Sequence, residues 1–229
     1  MPRIARAVAV GTPHHVTQRG NNRQDVFFVD DDRRTYLELL KSHAERFGLV
    51  VYGYCLMTNH VHLIVVPERQ DALAKAIGRT HYDYTRYVNR LHGRSGHLWQ
   101  SRFFSCPLDA EYYWTAMCYV ERNPIRARMV RRAWRYAWSS AAAHVSGDDS
   151  SGLLELSEWR QRKERDNWAV QLTEPQDDRT LSGVRLAMRT GRPLGSDRFI
   201  SKIETLVGRR LRAAPAGRPR KPKQRNKNR

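Results

Sequence analysis

The chain has 229 residues, 40% hydrophobic and 28% charged, enough for one sizeable core plus an appendage. No apolar run approaches the roughly 20 residues of a membrane span, the opening Met-Pro-Arg-Ile-Ala-Arg lacks the apolar stretch of a secretory leader, and Cys55, Cys106 and Cys118 are too scattered for a disulfide framework, so a cytoplasmic protein with reduced thiols is expected. Lys and Arg number 41 against 23 Asp and Glu, a net +18, which points to a polyanionic partner, nucleic acid by default.

Residues 13–19 (PHHVTQR) read as a short strand, broken by Gly20, Asn21 and Asn22. A helix is predicted over 31–47, capped by Asp30, with Tyr36, Leu40, Ala44 and Phe47 at helical spacing and Gly48 as its stop. Residues 49–56 (LVVYGYCL) form a second expected strand. Thr58 and Asn59 allow a turn into a third, 60–66, which Pro67 ends. A second helix fits 71–91, with Leu73, Ile77, Tyr84, Val88 and Leu91 on one stripe. Residues 97–105 (HLWQSRFFS) read as a fourth strand. Asp109 then opens a helix over 110–122 that Pro124 terminates. The order predicts an α+β fold: a ferredoxin-like, four-stranded antiparallel sheet (βαββαβ) with two helices on one face, plus one further helix packed near the sheet.

The pattern changes near residue 145. Residues 146–152 (SGDDSSG) read as a polar linker. Residues 153–172 and 196–212 read as helical, joined by a polar stretch. Residues 213–229 are mostly Pro, Gly, Lys, Arg and Asn, the composition of a disordered basic tail. The last 21 residues hold ten Lys and Arg and no acid, leaving +8 on residues 1–208. The expected division is therefore a main domain over 1–145, a helical accessory region over 146–212 and the tail.

Two stretches carry chemistry. In TNHVHLIVV (58–66), side chains two apart on a strand point the same way. His60 and His62 therefore project together, as a bidentate clip for a metal ion or as two satisfied polar residues near a strand end. No Cys-x-x-Cys accompanies them, which makes zinc a poor completion. In YVERNPIRA (119–127), Tyr119 and Asn123 are four apart at a helix end and stack on one side. Asn123 precedes proline and is expected as a cap residue. Alone, this stretch is a helix C-terminus with a buried tyrosine.

A strand of the form U-His-U-His-U (U apolar), followed 57 residues after His62 by Tyr-x-x-x-Asn-Pro, resembles the HUH single-tyrosine transposases, and within them the REP-associated tyrosine transposases. The likeness extends over PHHVTQRGNNRQ (13–24), CLMTNHVHLIV (55–65), GHLWQSRF (96–103), YVERNPIRARMV (119–130) and GRPLGSDRFI (191–200). It implies that 1–145 is a catalytic domain whose extra helix bears the nucleophile, Tyr119. It further implies a divalent ion, Mg²⁺ or Mn²⁺, on His60, His62 and Asn123; insertion-sequence relatives place Gln at that third point. The implied activity is a single-strand DNA endonuclease and strand transferase acting on repetitive extragenic palindrome hairpins through a 5′-phosphotyrosine. The implied protein is a nucleoid-associated, cytoplasmic monomer, with a dimer as the alternative.

Other residues have two readings each. Arg19, Asn21, Asn22 and Arg23 follow the first strand and suit DNA contacts or a polar turn. Trp99 suits stacking on an unpaired base or a core position, and Arg102 a phosphate contact. GRPRK (217–221) resembles the minor-groove core of an AT-hook, which makes Arg218, Arg220 and Lys221 DNA-binding candidates. Two further function classes stay open: a non-catalytic DNA- or RNA-binding protein on the same scaffold, and a metal-dependent hydrolase in which Tyr119 is dispensable.

Overall fold

A computed structural model describes residues 6–161 and 167–213. The sheet contains β1 (His14–Arg19), β2 (Leu49–Met57), β3 (His60–Pro67) and β4 (Phe104–Pro107), in the order β2-β3-β1-β4 with every pair antiparallel. Helix α1 (Asp30–Phe47) joins β1 to β2, and α2 (Ala72–Leu91) joins β3 to β4. This is the expected ferredoxin-like connectivity.

Period-two alternation decides what each face holds. Val61, Leu63 and Val65 of β3 enter a core with Tyr36 and Leu40 of α1 and Leu73, Ile77 and Tyr84 of α2. His62 and Ile64 take the opposite face, where α3 (Ala110–Glu121) packs on β2 and β3. The register shifts at Gly53, and a Cβ there would lie 2.4 Å from the Met117 sulfur, so this glycine lets α3 approach β2. The extra helix thus covers the face that α1 and α2 leave bare.

The chain continues through α4 (Asn123–Arg126), α5 (Ala141–Ser146), α6 (Ser157–Arg160), α7 (Trp168–Thr173), α8 (Asp178–Thr190) and α9 (Asp197–Val207). Glu121, fully buried at the end of α3, ties this region to the sheet. Its carboxylate pairs with His144 Nδ1 and accepts from the Ser140 hydroxyl, each at 2.5 Å, and from the Trp168 indole at 2.8 Å. Three partners offset the desolvation of that buried group. Among the described residues, no helix is long and apolar enough to cross a membrane.

Several boundaries differ from the sequence-based expectation. The fourth strand begins at Phe104 rather than 97. Leu98 and Trp99 both enter the same core, whereas neighbours on a strand point to opposite faces, and Ser101 (φ 115°) kinks the chain before pairing resumes. Asp30 lies inside α1 and not at its cap. Val29 takes the cap position, and the Asp32 carboxylate accepts from the Phe28 and Val29 amides at 2.7 and 3.0 Å. The predicted helix 153–172 contains the short α6 and α7, with 162–166 outside the described residues. The polar stretch expected to join two helices contains α8, which polar residues start and a glycine stops. Asp177 accepts from the Thr180 amide, and Gly191 ends the helix in the left-handed conformation. The predicted disordered tail, beyond Ala213, lies outside the described residues.

Buried histidines set an acid limit on stability. Burial pushes His14 down to about 4 and His81, beside Arg6, down to about 3. In the unfolded chain both return to about 6.5. The folded values are depressed, so the unfolded chain binds more protons across this interval. The stabilisation is complete above pH 6.5 and is lost as pH falls toward 4 and 3. The urea midpoint is expected to fall steadily between pH 6.5 and 4; a midpoint constant down to pH 4.5 contradicts this.

Candidate active site

The β2–β3 hairpin turns on two residues, because Met57 pairs with His60. This places His60 at the first position of β3, with His62 one pleat further in. Their rings lie 5.0 Å apart at 85°, on one face as the spacing predicted. Tyr119 descends from α3 onto the same spot, its ring 5.9 Å from that of His62. Asn123 opens α4 and is not the cap of α3, a position Arg122 takes. Its amide nitrogen donates to the Tyr119 and Val120 carbonyls at 3.3 and 3.1 Å, leaving the amide oxygen as the atom to offer a ligand. His60, His62, Tyr119 and Asn123 all line one cleft of about 490 Å³.

The two imidazoles are neutral at physiological pH. Burial, then the charge of Arg19, holds His60 at about 4. Burial, then His60 and His15, pushes His62 well below its ordinary value. His60 Nδ1 lies 2.6 Å from the side-chain amide oxygen Oδ1 of Asn59, which can only accept, so Nδ1 carries the proton and Nε2 the lone pair. His62 Nδ1 lies 2.9 Å from Nε2 of the buried His15. Each ring thus commits one nitrogen to a neighbour and keeps one uncommitted. Two neutral imidazoles and an amide oxygen fit a divalent ion, whose charge they leave undiminished. Among the described residues no group of three or more His, Cys, Asp or Glu is placed to hold a metal, so the set rests on the amide for its third side chain.

Three contributions escaped the sequence reading. The first is His15, which shares a face of β1 with Thr17 and Arg19. The register that pairs Thr17 with His62 and Arg19 with His60 brings this face to the histidine pair. The second is Arg126, whose guanidinium lies 4.0 Å from the Tyr119 ring centroid and donates to the Tyr119 carbonyl at 2.5 Å. Seven residues after Tyr119, it falls on the same helical stripe. Pro124 masked this relation, since it sits in the first turn of α4, where proline is tolerated, rather than ending helical structure. The third is α8, which lends Arg185 and Arg189 to the cleft.

The DNA-binding candidates separate. Arg19 lines the cleft. Asn21, Trp99 and Arg102 line a neighbouring cavity of about 630 Å³. Trp99 is largely a core side chain: it stacks on His81 at 4.5 Å, and its indole donates to the His81 carbonyl at 3.3 Å. Asn22 and Arg23 sit on an exposed turn with φ of 48° and 61° and line neither cavity. Arg218, Arg220 and Lys221 lie outside the described residues.

The family model for IS200-like transposases matches residues 10–123, a span that runs from the approach to β1 through Asn123 and so contains His60, His62, Tyr119 and Asn123. The chain belongs to the IS200-like transposases. The fold of this IS200-like chain is also that of a REP-associated tyrosine transposase solved with a REP hairpin. That structure has a TM-score of 0.53 and 15% identity, over 68% of this chain and 90% of the other. A protein of Deinococcus radiodurans R1 described as a candidate transposase aligns with a TM-score of 0.38 and 18% identity, over 52% and 96% of the two chains. No protein of curated function matches this IS200-like transposase.

Proposed function

We propose that this chain is a single-strand DNA endonuclease and strand transferase of the REP-associated branch, acting on DNA hairpins through a 5′-phosphotyrosine. The observation that carries the reading is the convergence of His60 and His62 from β3, Tyr119 from α3 and Asn123 from α4 on a single cationic cleft. Tyr119 Oη attacks the phosphorus of a phosphodiester. The Tyr–O–P bond forms and the P–O3′ bond breaks, and the tyrosine proton passes through solvent to the departing 3′-oxygen. The covalent bond conserves the energy of the broken linkage, so a 3′-hydroxyl can reverse the step without ATP. Mg²⁺ or Mn²⁺, held by His60, His62 and Asn123, would supply positive charge to the phosphate as negative charge develops on it. Arg126 holds the Tyr119 ring beneath its guanidinium and braces the nucleophile's backbone. Because one chain supplies every one of these groups, the proposal includes a monomer as the working unit, with 1–145 as catalytic domain and 146–212 as its helical accessory.

The test is a covalent trap. A labelled single-stranded oligonucleotide carrying a hairpin is incubated with protein and Mn²⁺ and run on a denaturing gel. A labelled band at the mass of protein plus DNA is expected. Its absence, with the DNA bound, favours a binding protein; cleaved DNA without the band favours a hydrolase.

His15 supplies a second test of the metal reading. With His62 Nε2 given to the ion, Nδ1–H must donate to His15 Nε2, which fixes the ring's tautomer and orientation. His15→Leu is expected to weaken Mn²⁺ binding to the DNA-free protein by about 10- to 100-fold. His15→Gln, which keeps an acceptor, is expected to lose less. Calorimetric titration reads both, and equal Mn²⁺ affinity in all three proteins removes His15 from the site.

A further inference from the structure

The segment GRPLGSDRFI stands apart in the sequence, yet none of its residues enters the chemistry above. The fold gives it mechanical work. After Gly191, the chain runs back along the sheet edge. Leu194 N donates to the Pro107 carbonyl and Asp109 N to the Leu194 carbonyl, each at 2.9 Å. The Asp109 carboxylate then accepts from the Ser196 amide and hydroxyl at 3.0 and 2.8 Å. Gly195 sits in this join so closely that a Cβ would lie 2.5 Å from both Asp109 Cβ and Phe199 Cδ1. The segment staples the end of α8 to the junction of β4 and α3, and α8 packs along β4, β1 and α3.

That staple brings two exposed arginines, Arg185 and Arg189, to the cleft that holds Tyr119. Arg19 and Arg126 line it as well, and no acid is among the described residues of its lining. Arg126 is crowded by like charge: burial, then Arg185 and Arg122, lowers its pKa against the favourable pull of Tyr119. Its Nη1 is buried with no hydrogen-bond partner. Four cations assembled without a carboxylate, one carrying an orphaned donor, form a site that an anion would complete.

We propose that α8, held by residues 191–196, is the second wall of the active cleft, and that Arg185 and Arg189, together with Arg126, grip successive phosphates of a single DNA strand passing Tyr119. The proposal rests on the nucleolytic reading for the identity of its ligand. The strand lies between the β1–β3 face and α8, so the C-terminal region sets the path of the DNA as well as bracing the fold.

The test is single-strand binding against salt, with a 20-nucleotide oligonucleotide and chelator present to prevent cleavage. Each phosphate neutralised on single strands contributes a slope of about 0.7 in log K against log salt. Arg185→Gln with Arg189→Gln is expected to flatten the slope by about 1.4 and weaken binding by roughly an order of magnitude. A control pair outside the cleft, Arg86→Gln with Arg90→Gln, removes the same charge and is expected to leave the slope unchanged. Gly195→Ala keeps every charge but disturbs the staple, and is expected to flatten the slope as the first pair does. An unchanged slope in the Arg185/Arg189 pair, or an equal change in both pairs, overturns the clamp. Should Gly195→Ala fail to fold, the two arginine pairs decide alone, since all four side chains are exposed. The two readings fail separately. A flattened slope without any covalent adduct from wild type keeps the phosphate grip and sinks the nuclease; an adduct with an unchanged slope does the reverse.

Discussion

Tyr119→Phe is expected to abolish the covalent protein–DNA adduct and strand cleavage while leaving hairpin binding within about two-fold of wild type. The substitution removes one oxygen and keeps the ring, which is 6% exposed, set edge-on to His15 and His62 and covered by the Arg126 guanidinium. Packing and the cation–π contact survive, so the folded state should change little. The reaction loses its proposed nucleophile altogether, and removing a covalent nucleophile costs on the order of 10⁴-fold or more. Single-turnover cleavage, measured beside the melting temperature and hairpin affinity, separates chemistry from folding. A pure Tyr119→Phe protein that still forms the adduct moves the nucleophile elsewhere. One that cleaves at the wild-type rate without an adduct makes the tyrosine dispensable and favours hydrolysis by water.

The residues proposed to hold the metal carry the second large effect. His60→Ala and His62→Ala are each expected to lower divalent-ion-dependent cleavage by roughly 10²- to 10³-fold, the scale seen when one stabilising group of a charged transition state is removed. Chelation of wild type should mimic them. The two should differ in stability. His60 stands half-buried at the strand end, whereas His62 is 4% exposed and bonded to His15. His62→Ala therefore opens a cavity and strips a fully buried imidazole of its partner, so it should also lower the melting temperature. Asn123→Ala should weaken Mn²⁺ binding less than either, since an amide oxygen is a weaker ligand than imidazole. Titration of Mn²⁺ into the DNA-free proteins reads affinity apart from turnover. A His60→Ala/His62→Ala double variant that cleaves normally in chelator removes the metal from the reaction.

Much of this protein was legible in one dimension because the relevant periods are short. Alternation along 60–66 placed His60 and His62 on one face and Val61, Leu63 and Val65 on the other before any partner strand was known. The βαββαβ order followed from spacing, caps and stops, and the resemblance carried by the His-x-His and Tyr-x-x-x-Asn-Pro stretches pointed to the family that residues 10–123 match. Failures came where a local rule met a tertiary demand. HLWQSRFFS alternates well enough to read as a strand, but the core beneath α2 takes both Leu98 and Trp99, and the chain kinks at Ser101 to deliver them. Helix α8 has only Val184 and Ala187 buried, too thin a stripe for its period to stand out from its charges.

Local spacing was enough to pair the groups proposed here for the chemistry: two imidazoles two positions apart on a strand, and a tyrosine and an asparagine four apart at a helix end. Their neighbours came from long-range packing. His15 meets His62 across 47 positions because the β1–β3 register brings their strands together, and register depends on the pairing of whole strands. Arg185 and Arg189 reach the cleft through the staple between Asp109 and Ser196, a contact 87 positions apart in the chain. Local propensities act over a few residues, whereas a cleft is assembled by strand pairing and helix packing, which join segments that share no local pattern.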